Sequence, residues 1–523
     1  MTRPARVATR LGALALLVAA VLTAVGCGGG TGTNGSGGST TGSAAEPTAG
    51  GVLRFGLESP PTTLDPSRVI EASALIVVLQ YSEGLLELND EGKAVPNLAS
   101  DFKSSADGLT WTFTLQKGVT FSDGKPMTAK DVAFSLEQAK TSPYFAGLYE
   151  PISKITAPSP DEVVLKLSSP NPALPAQLAF YTAYIVPDGY AGMSEKEFAQ
   201  NPIGTGPFAI SSARRGGAIT LTQNTHYWKQ DKPHLDELVF TPVTDENSRL
   251  QQIRGGELDM TKATAISTKT GVPAGSGIRI EETTQNIVDY LLLNQHNPLF
   301  KNPKVREAIN LAIDREGIIQ TATDGKGALG ASFLPPAVTY AIDAEPPARD
   351  VAKAKQLIAE AAKEGVDTSF KINSYNFDAY SGFATQILQQ DLEEIGLTVE
   401  LQPLDEAALN ELLETGEYDA VQGLYLPALS DPSELSGFYV AFFAPGAGQD
   451  VDGLTKVVEE AAVETDEQKR AGLYAQLQEM MIEEESLLVI NYQPVVFPVV
   501  EEVTGVELDP VGDLLLRNAG FAE

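Results

Sequence analysis

The chain has 523 residues and carries 69 Asp and Glu against 37 Lys and Arg, a formal net charge of −32 that repels phosphate backbones and argues against a nucleic-acid partner. With 43% hydrophobic and 20% charged residues, 16 Tyr and 20 Phe, it has a globular composition, long enough for about two or three domains. One cysteine leaves no intrachain disulfide and no cysteine-based zinc site, and His226, His234 and His296 stand in unrelated contexts, so no metal centre is expected.

Arg3, Arg6 and Arg10 precede an apolar run from Leu11 to Val25 that ends in small residues. The run is short for a membrane span and has the charge asymmetry of an export signal. Leu22-Thr-Ala-Val-Gly-Cys27 resembles a bacterial lipobox, departing from it at Ala24, where the pattern prefers Leu. Residues 1–27 are therefore expected to be a lipoprotein signal ending in an acylated Cys27. Residues 28–51 are Gly, Ser, Thr and Ala with scarcely a charge, a flexible tether that cannot bury a core.

Folded texture begins at Val52. Val52, Phe55 and Leu57 predict a strand that Pro60-Pro61 and Asp65-Pro66 break, and Ala72 to Leu88 a helix followed by a short strand. Trp111, Phe113 and Leu115 alternate with threonines, the period of a half-buried strand. Thr128 with Asp131 predicts a capping box, opening a helix with Val132, Leu136 and Ala139 on one face. Asn302-Pro303 and Asp350 open further helices, Leu397, Val399 and Leu401 alternate as a strand, and a helix bearing Leu409, Leu412 and Leu413 ends at Gly416. Mixed strands and helices without a repeat period predict an α/β fold with several sheets.

No Gly-x-Ser-x-Gly elbow, His-Glu-x-x-His or Walker A loop is present. Gly325-Lys-Gly-Ala-Leu-Gly330 fits a dinucleotide fingerprint but follows a helix rather than a strand, and reads as a mobile loop. No catalytic residue, cofactor or enzymatic activity is expected.

Several segments in order resemble one family. They are Tyr81-Ser-Glu-Gly-Leu85, the run from Asp107 through Pro126 to Ser135, Asn201-Pro-Ile-Gly-Thr-Gly-Pro-Phe208, Tyr227-Trp228, Gly255-Gly-Glu-Leu-Asp259, Asn302 to Asp314, and Asp431-Pro432. Together they are similar to the extracellular solute-binding proteins of family 5, the oligopeptide, dipeptide and nickel-binding type. The resemblance implies a two-lobed periplasmic-binding-protein type II fold with an additional domain inserted in lobe I. Lobe I would comprise 52–90, 201–285 and 495–523, the inserted domain 91–200, and lobe II 286–494. It also implies a membrane-anchored, extracytoplasmic monomer that captures a peptide, oligosaccharide or other solute and hands it to the permease subunits of an ABC importer. The alternative is a surface receptor or hydrolase reusing the fold.

Cleft-lining candidates, by analogy, are Ser59, Thr62, Tyr81, Asn373, Tyr375, Asn376, Tyr425, Asp431, Phe438, Asn491 and Tyr492. Tyr and Asn suit such a site because each pairs contact area with a directional hydrogen bond. The turn at Gly204, Gly206 and Pro207 reads as structural. Peptide-binding members hold the peptide amine with an aspartate just before the late Asp-Pro. Here that stretch is Tyr425-Leu-Pro-Ala-Leu-Ser430, with no acid, which favours a neutral or differently anchored solute. Nickel would require a chelate, with His296 as the one nearby ligand.

Overall fold

Leu53, Phe55 and Leu57 point from the first strand, Val52–Leu57, into the core and are wholly buried. This strand is the middle one of a seven-stranded mixed sheet. The spatial order is Ile278–Glu282, Val496–Val500, Met260–Thr261, Val52–Leu57, Glu237–Pro242, Ile219–Gln223 and Phe208–Ala213. The first strand runs parallel to Glu237–Pro242 and Met260–Thr261. Phe55 packs against Phe240 and Phe497 at 5.7 and 6.4 Å between ring centres. The computed structural model describes residues 47–523 except 144, 231, 284–285, 366, 377–378, 441–446, 449–451 and 523. Cys27 and most of the expected tether lie outside the described residues.

A second sheet has five strands in the order Thr398–Leu404, Ser369–Tyr375, Ala420–Tyr425, Ile287–Leu293 and Leu487–Gln493. Every residue of Leu487–Gln493 is buried, as a strand covered on both faces requires. Local chemistry sets the helices around it. Asn302 Oδ1 accepts from Lys304 N at 3.1 Å and Asp350 Oδ1 from Lys353 N at 2.9 Å, capping Pro303–Ala312 and Val351–Ala362. The helix Glu406–Thr415 stops at Gly416, whose φ of 70° closes the last turn.

A third, four-stranded antiparallel sheet runs Ala99–Ser104, Thr110–Leu115, Glu162–Leu167 and Ile152–Ser159. Phe113 and Leu115 are buried as the alternation predicts, while Trp111 is half-buried and stacks on Phe102 at 6.3 Å. The helix Ala129–Ala139 packs on this sheet, and its first turn is tied by Thr128 N and Oγ1, which donate to Asp131 Oδ2 at 2.7 and 2.8 Å.

The chain crosses between the seven- and five-stranded bodies next to Thr283–Asn286 and at Pro494-Val495. The two crossings are stitched together: Thr283 N donates to Val495 O at 3.1 Å, Val495 N to Thr283 Oγ1 at 2.9 Å, and Asn286 N to Gln493 O at 3.0 Å.

The recognisable segments act as braces. Glu83 is buried and accepts from Tyr227 OH at 3.1 Å and Trp228 Nε1 at 2.9 Å. Asp259 accepts from Arg54 N, Nε and an Nη at 2.7, 2.9 and 2.6 Å. A Cβ on Gly204 would lie 2.0 Å from Tyr81 O, and one on Gly206 2.5 Å from Tyr81 C, so the turn serves packing. Gly330, at the end of the glycine-rich loop, passes so close to Tyr492 that a Cβ would meet its ring at 2.0 Å. Packing accounts for Gly330, and a φ of 76° for Gly325.

Candidate functional site

The central strand Ala420–Tyr425 of the five-stranded sheet runs into a loop that reaches the other body. Leu429 is buried in one apolar cluster with Val69, Phe180 and Tyr181, and Ala428 packs at its edge. Phe145, Phe180 and Tyr181 form an aromatic group, with ring centres 5.0 Å apart for Phe145–Phe180 and 4.2 Å for Phe180–Tyr181. On the five-stranded side Ser430 O accepts from Thr339 N at 2.8 Å and Thr339 Oγ1 at 2.9 Å.

Carboxylates from three segments act through their charge on the Tyr181 phenol. Tyr181 OH donates to Val69 O at 3.2 Å, two residues before Glu71. Thr62 donates to Glu71 Oε1, while Glu71 Oε2 is shut from solvent without a partner. Across the contact, Asp431-Pro432 starts the short helix Pro432–Phe438 and places Glu434 in its first turn. Glu434 Oε1 accepts the Tyr425 hydroxyl. The residue keeps partial exposure, but Oε2 is inaccessible and unpartnered. Burial pushes its carboxyl up to about 7.

A third acid comes from the C-terminal segment. Asp509 Oδ1 accepts from Val511 N at 3.0 Å and Asp513 N at 2.8 Å, folding a tight loop that sets Asp513 beside it. Burial and then the neighbouring charge of Asp509 raise the Asp513 carboxyl well above its usual range. Burial drives the Tyr181 phenol up as well, with the charges of Asp513, Glu434 and Glu71 adding to it. A cavity of about 50 Å³ with mixed polar and apolar walls, edged by Gln80, Glu83, Tyr184, Asp509, Asp513 and Arg517, lies behind this loop, too small for a solute.

The cations of the region are engaged elsewhere. Arg68 donates to Thr141 and pairs with Glu195 at 3.3 Å, Arg517 pairs with Glu87 and Glu507 at 2.6 and 3.1 Å, and Lys229 with Glu83 and Glu87 at 3.8 and 3.7 Å. Among the described residues no group of three or more His, Cys, Asp or Glu side chains could hold a metal ion.

The residues expected at the site are dispersed. Tyr425 sits in it, and Thr62 borders it through Glu71. Ser59 bonds to Ser73, its N at 3.1 Å and its Oγ at 3.2 Å from Ser73 Oγ. Tyr81 is a core residue whose hydroxyl donates to Leu64 O. Asp431 is buried in a two-bond ion pair with Arg470 at 2.7 and 2.9 Å and also caps Ser433 N, so both its oxygens are occupied. Asn491 belongs to a buried network with Asp289 and Tyr380, and Tyr492 OH donates to Ser332 O at 2.6 Å. Asn373 Nδ2 donates to Gln402 Oε1 at 3.2 Å, Tyr375 is half-buried and Asn376 exposed at the same strand end. The Phe438 side chain lies outside the described residues.

Glu71, Tyr181, Glu434 and Asp513 were not among the residues expected at the site. Asp431-Pro432-Ser-Glu434 reads as an ordinary helix start, with Glu in the position of a capping box. The one available signal was an acid retained on the helix that follows a loop with none.

The model of the bacterial extracellular solute-binding proteins, family 5 (middle region), matches residues 93–446, more than half of the chain. The chain belongs to this family. The glutathione-binding protein GsiB of Salmonella choleraesuis is 30% identical over 349 residues, 66% of this chain and 68% of GsiB. The crystal structure of the ABC transporter substrate-binding protein CtaP from Listeria monocytogenes superposes with a TM-score of 0.82 at 26% identity, covering 91% of this chain and all of CtaP. AgaA from A. tumefaciens, in complex with agropinic acid, gives 0.74 at 26% identity over 90% and 99% of the two chains. This family 5 protein therefore has the mixed α/β, two-lobed type II fold. Its seven-stranded body is here called lobe I and its five-stranded body lobe II. Family 5 proteins work outside the cytoplasm, and among the described residues no helix is long and apolar enough to cross a membrane.

Proposed function

We propose that the protein captures a solute between lobes I and II, closes on it, and presents the closed form to the permease subunits of an ABC importer. The observation that carries this reading is the contact between the lobes in which Leu429 of lobe II is buried with Val69, Phe180 and Tyr181 of lobe I. A solute touching both faces stabilises the closed form by its differential affinity. The bonds that join Thr283 to Val495 and Asn286 to Gln493 set the two crossings side by side, as a hinge requires. The four-stranded sheet within 91–200 would be the inserted domain, and residues 201–285 and 495–523 would complete lobe I. Cys27, lipidated and followed by the tether, would hold the protein at the outer face of the membrane as a monomer.

Thermal-shift screening with peptides, sugars and opine-like acids tests the reading. A bound solute raises the melting temperature with concentration as RT ln(1 + [L]/Kd) and is recovered chemically unchanged after long incubation. A solute recovered as a cleaved product would establish the hydrolase alternative instead.

A further inference from the structure

We infer that the loop at 323–328 is an ionic clasp between the lobes, in which Lys269 with Asp324 and Lys326 with Glu282 pair with opposite polarity and hold the lobes together before any solute arrives. The inference rests on the two-lobe closure of the solute-capture reading and adds an element that sets its balance. Lys269 lies on the lobe I helix Ala265–Gly271, and Glu282 ends the lobe I strand Ile278–Glu282, next to the crossing at Thr283. Asp324 and Lys326 follow the lobe II helix Arg315–Ala322. Lys269 Nζ stands 2.7 Å from Asp324 Oδ1, and Lys326 Nζ donates to Glu282 Oε2. Each lobe thus gives one cation and one anion. One pair sits beside the hinge, and the other on a helix that lies against Arg315–Ala322 and Ala379–Glu394 of lobe II.

The loop carries the first half of the glycine-rich run, and it is tied down where the sequence suggests mobility. Thr323 is wholly buried, donates its hydroxyl to Ile319 O at 2.7 Å and accepts from Gly327 N at 3.0 Å. Gly325 N donates to Ile319 O at 3.0 Å, and Ala328 and Tyr492 exchange two backbone bonds of 2.9 Å. Asp324 and Gly325 are both left-handed, with φ of 54° and 76°. A non-glycine residue held there costs free energy, and the tight turn it makes lets residues two apart both reach lobe I. An exposed ion pair between two free side chains contributes little, because ordering them offsets the attraction. Here both lobe II partners stand on a backbone already fixed by folding, and the two pairs act on one motion. Lys269 and Asp324 keep 50% and 33% side-chain exposure, so salt screens their attraction. The same structure holds Leu429 against Val69 and Tyr181, so the clasp and the cleft contact are made together. The clasp therefore favours the closed form.

Hydrogen exchange of the solute-free full chain, followed by mass spectrometry, tests the clasp. It is read at 323–328 and, separately, at 426–430, where Leu429 enters lobe I. Asp324→Asn suits a left-handed backbone and removes only the charge. That variant and Lys269→Gln should each speed exchange at 426–430 roughly twofold to fivefold, as the open form gains population. Lys326→Glu should do the same, and adding Glu282→Lys should restore the parental rate. Raising sodium chloride from about 50 mM to about 500 mM should speed exchange there in the parent and change little in the double variant Lys269→Gln, Lys326→Gln. Faster exchange confined to 323–328, parental rates at 426–430 in all variants, or no rescue by the reversed pair overturns the clasp. Solute capture is read on its own by the thermal-shift screen of the parent. Binding there with an unmoved exchange pattern removes the clasp alone, and a screen that finds no solute counts against capture and not against the clasp.

Discussion

Tyr425 and Glu434 share a hydrogen bond in which the phenol donates to Oε1 and leaves Oε2 buried without a partner. One residue ends the central strand of lobe II and the other opens the next helix, so the loop between them, which carries Leu429 into lobe I, is closed at its base by this bond.

Glu434 should make stability depend on pH in a defined direction. Its carboxyl rises from 4.5 to about 7 on folding, mainly through burial. Between those values the folded protein holds a proton that the unfolded chain has released, so stability falls as pH rises through the window and levels off above it. Glu434→Gln removes the dependence. Urea unfolding at pH 8 should show the variant ~1–3 kcal/mol more stable than the parent, with the two nearly equal at pH 4.5. A gain in stability alongside a loss of affinity would mark a residue kept for binding.

Asp431 should behave as a structural anion. Arg470 lies beside the stacked rings of Tyr340 and Tyr474, 5.6 and 5.1 Å from their centres, and pairs with both Asp431 oxygens. Arg470→Met leaves a buried charge unpaired and should cost ~3–5 kcal/mol in chemical unfolding. Adding Asp431→Asn should restore much of that loss. A double variant with parental stability and no solute binding would contradict the assignment.

Tyr81 and Gly204 should report on the fold and not on the solute. Tyr81→Phe loses the bond to Leu64 O and should cost about 1 kcal/mol with affinity unchanged. Gly204→Ala puts a methyl 2.0 Å from a backbone oxygen and should abolish soluble folded protein. Calorimetry and expression yield read both.

Cys27→Ser should release the protein from the membrane fraction into the medium or periplasm, as followed by immunoblotting of cell fractions. Retention on the membrane would remove the anchor from the account.

Much of the scaffold was legible in the sequence because it follows local rules. The caps at Asn302 and Asp350, the stop at Gly416 and the burial of Phe113 and Leu115 each depend on neighbours within a few residues. The site was less legible because its residues meet only through long-range packing. Glu71 precedes one helix, Glu434 opens another, and Asp513 follows a Pro-Val-Gly turn; each has an ordinary local explanation. The family likeness drew attention to Tyr81 and Asp431, which recur as braces.

Closure on a solute is the central claim, and small-angle X-ray scattering measures it directly. Protein freed of solute by mild denaturation and refolding is compared with the same protein after its extracted solute, or a solute found by the thermal-shift screen, is returned at saturation. The account predicts a smaller radius of gyration on binding. Saturable binding with an unchanged scattering profile would contradict it.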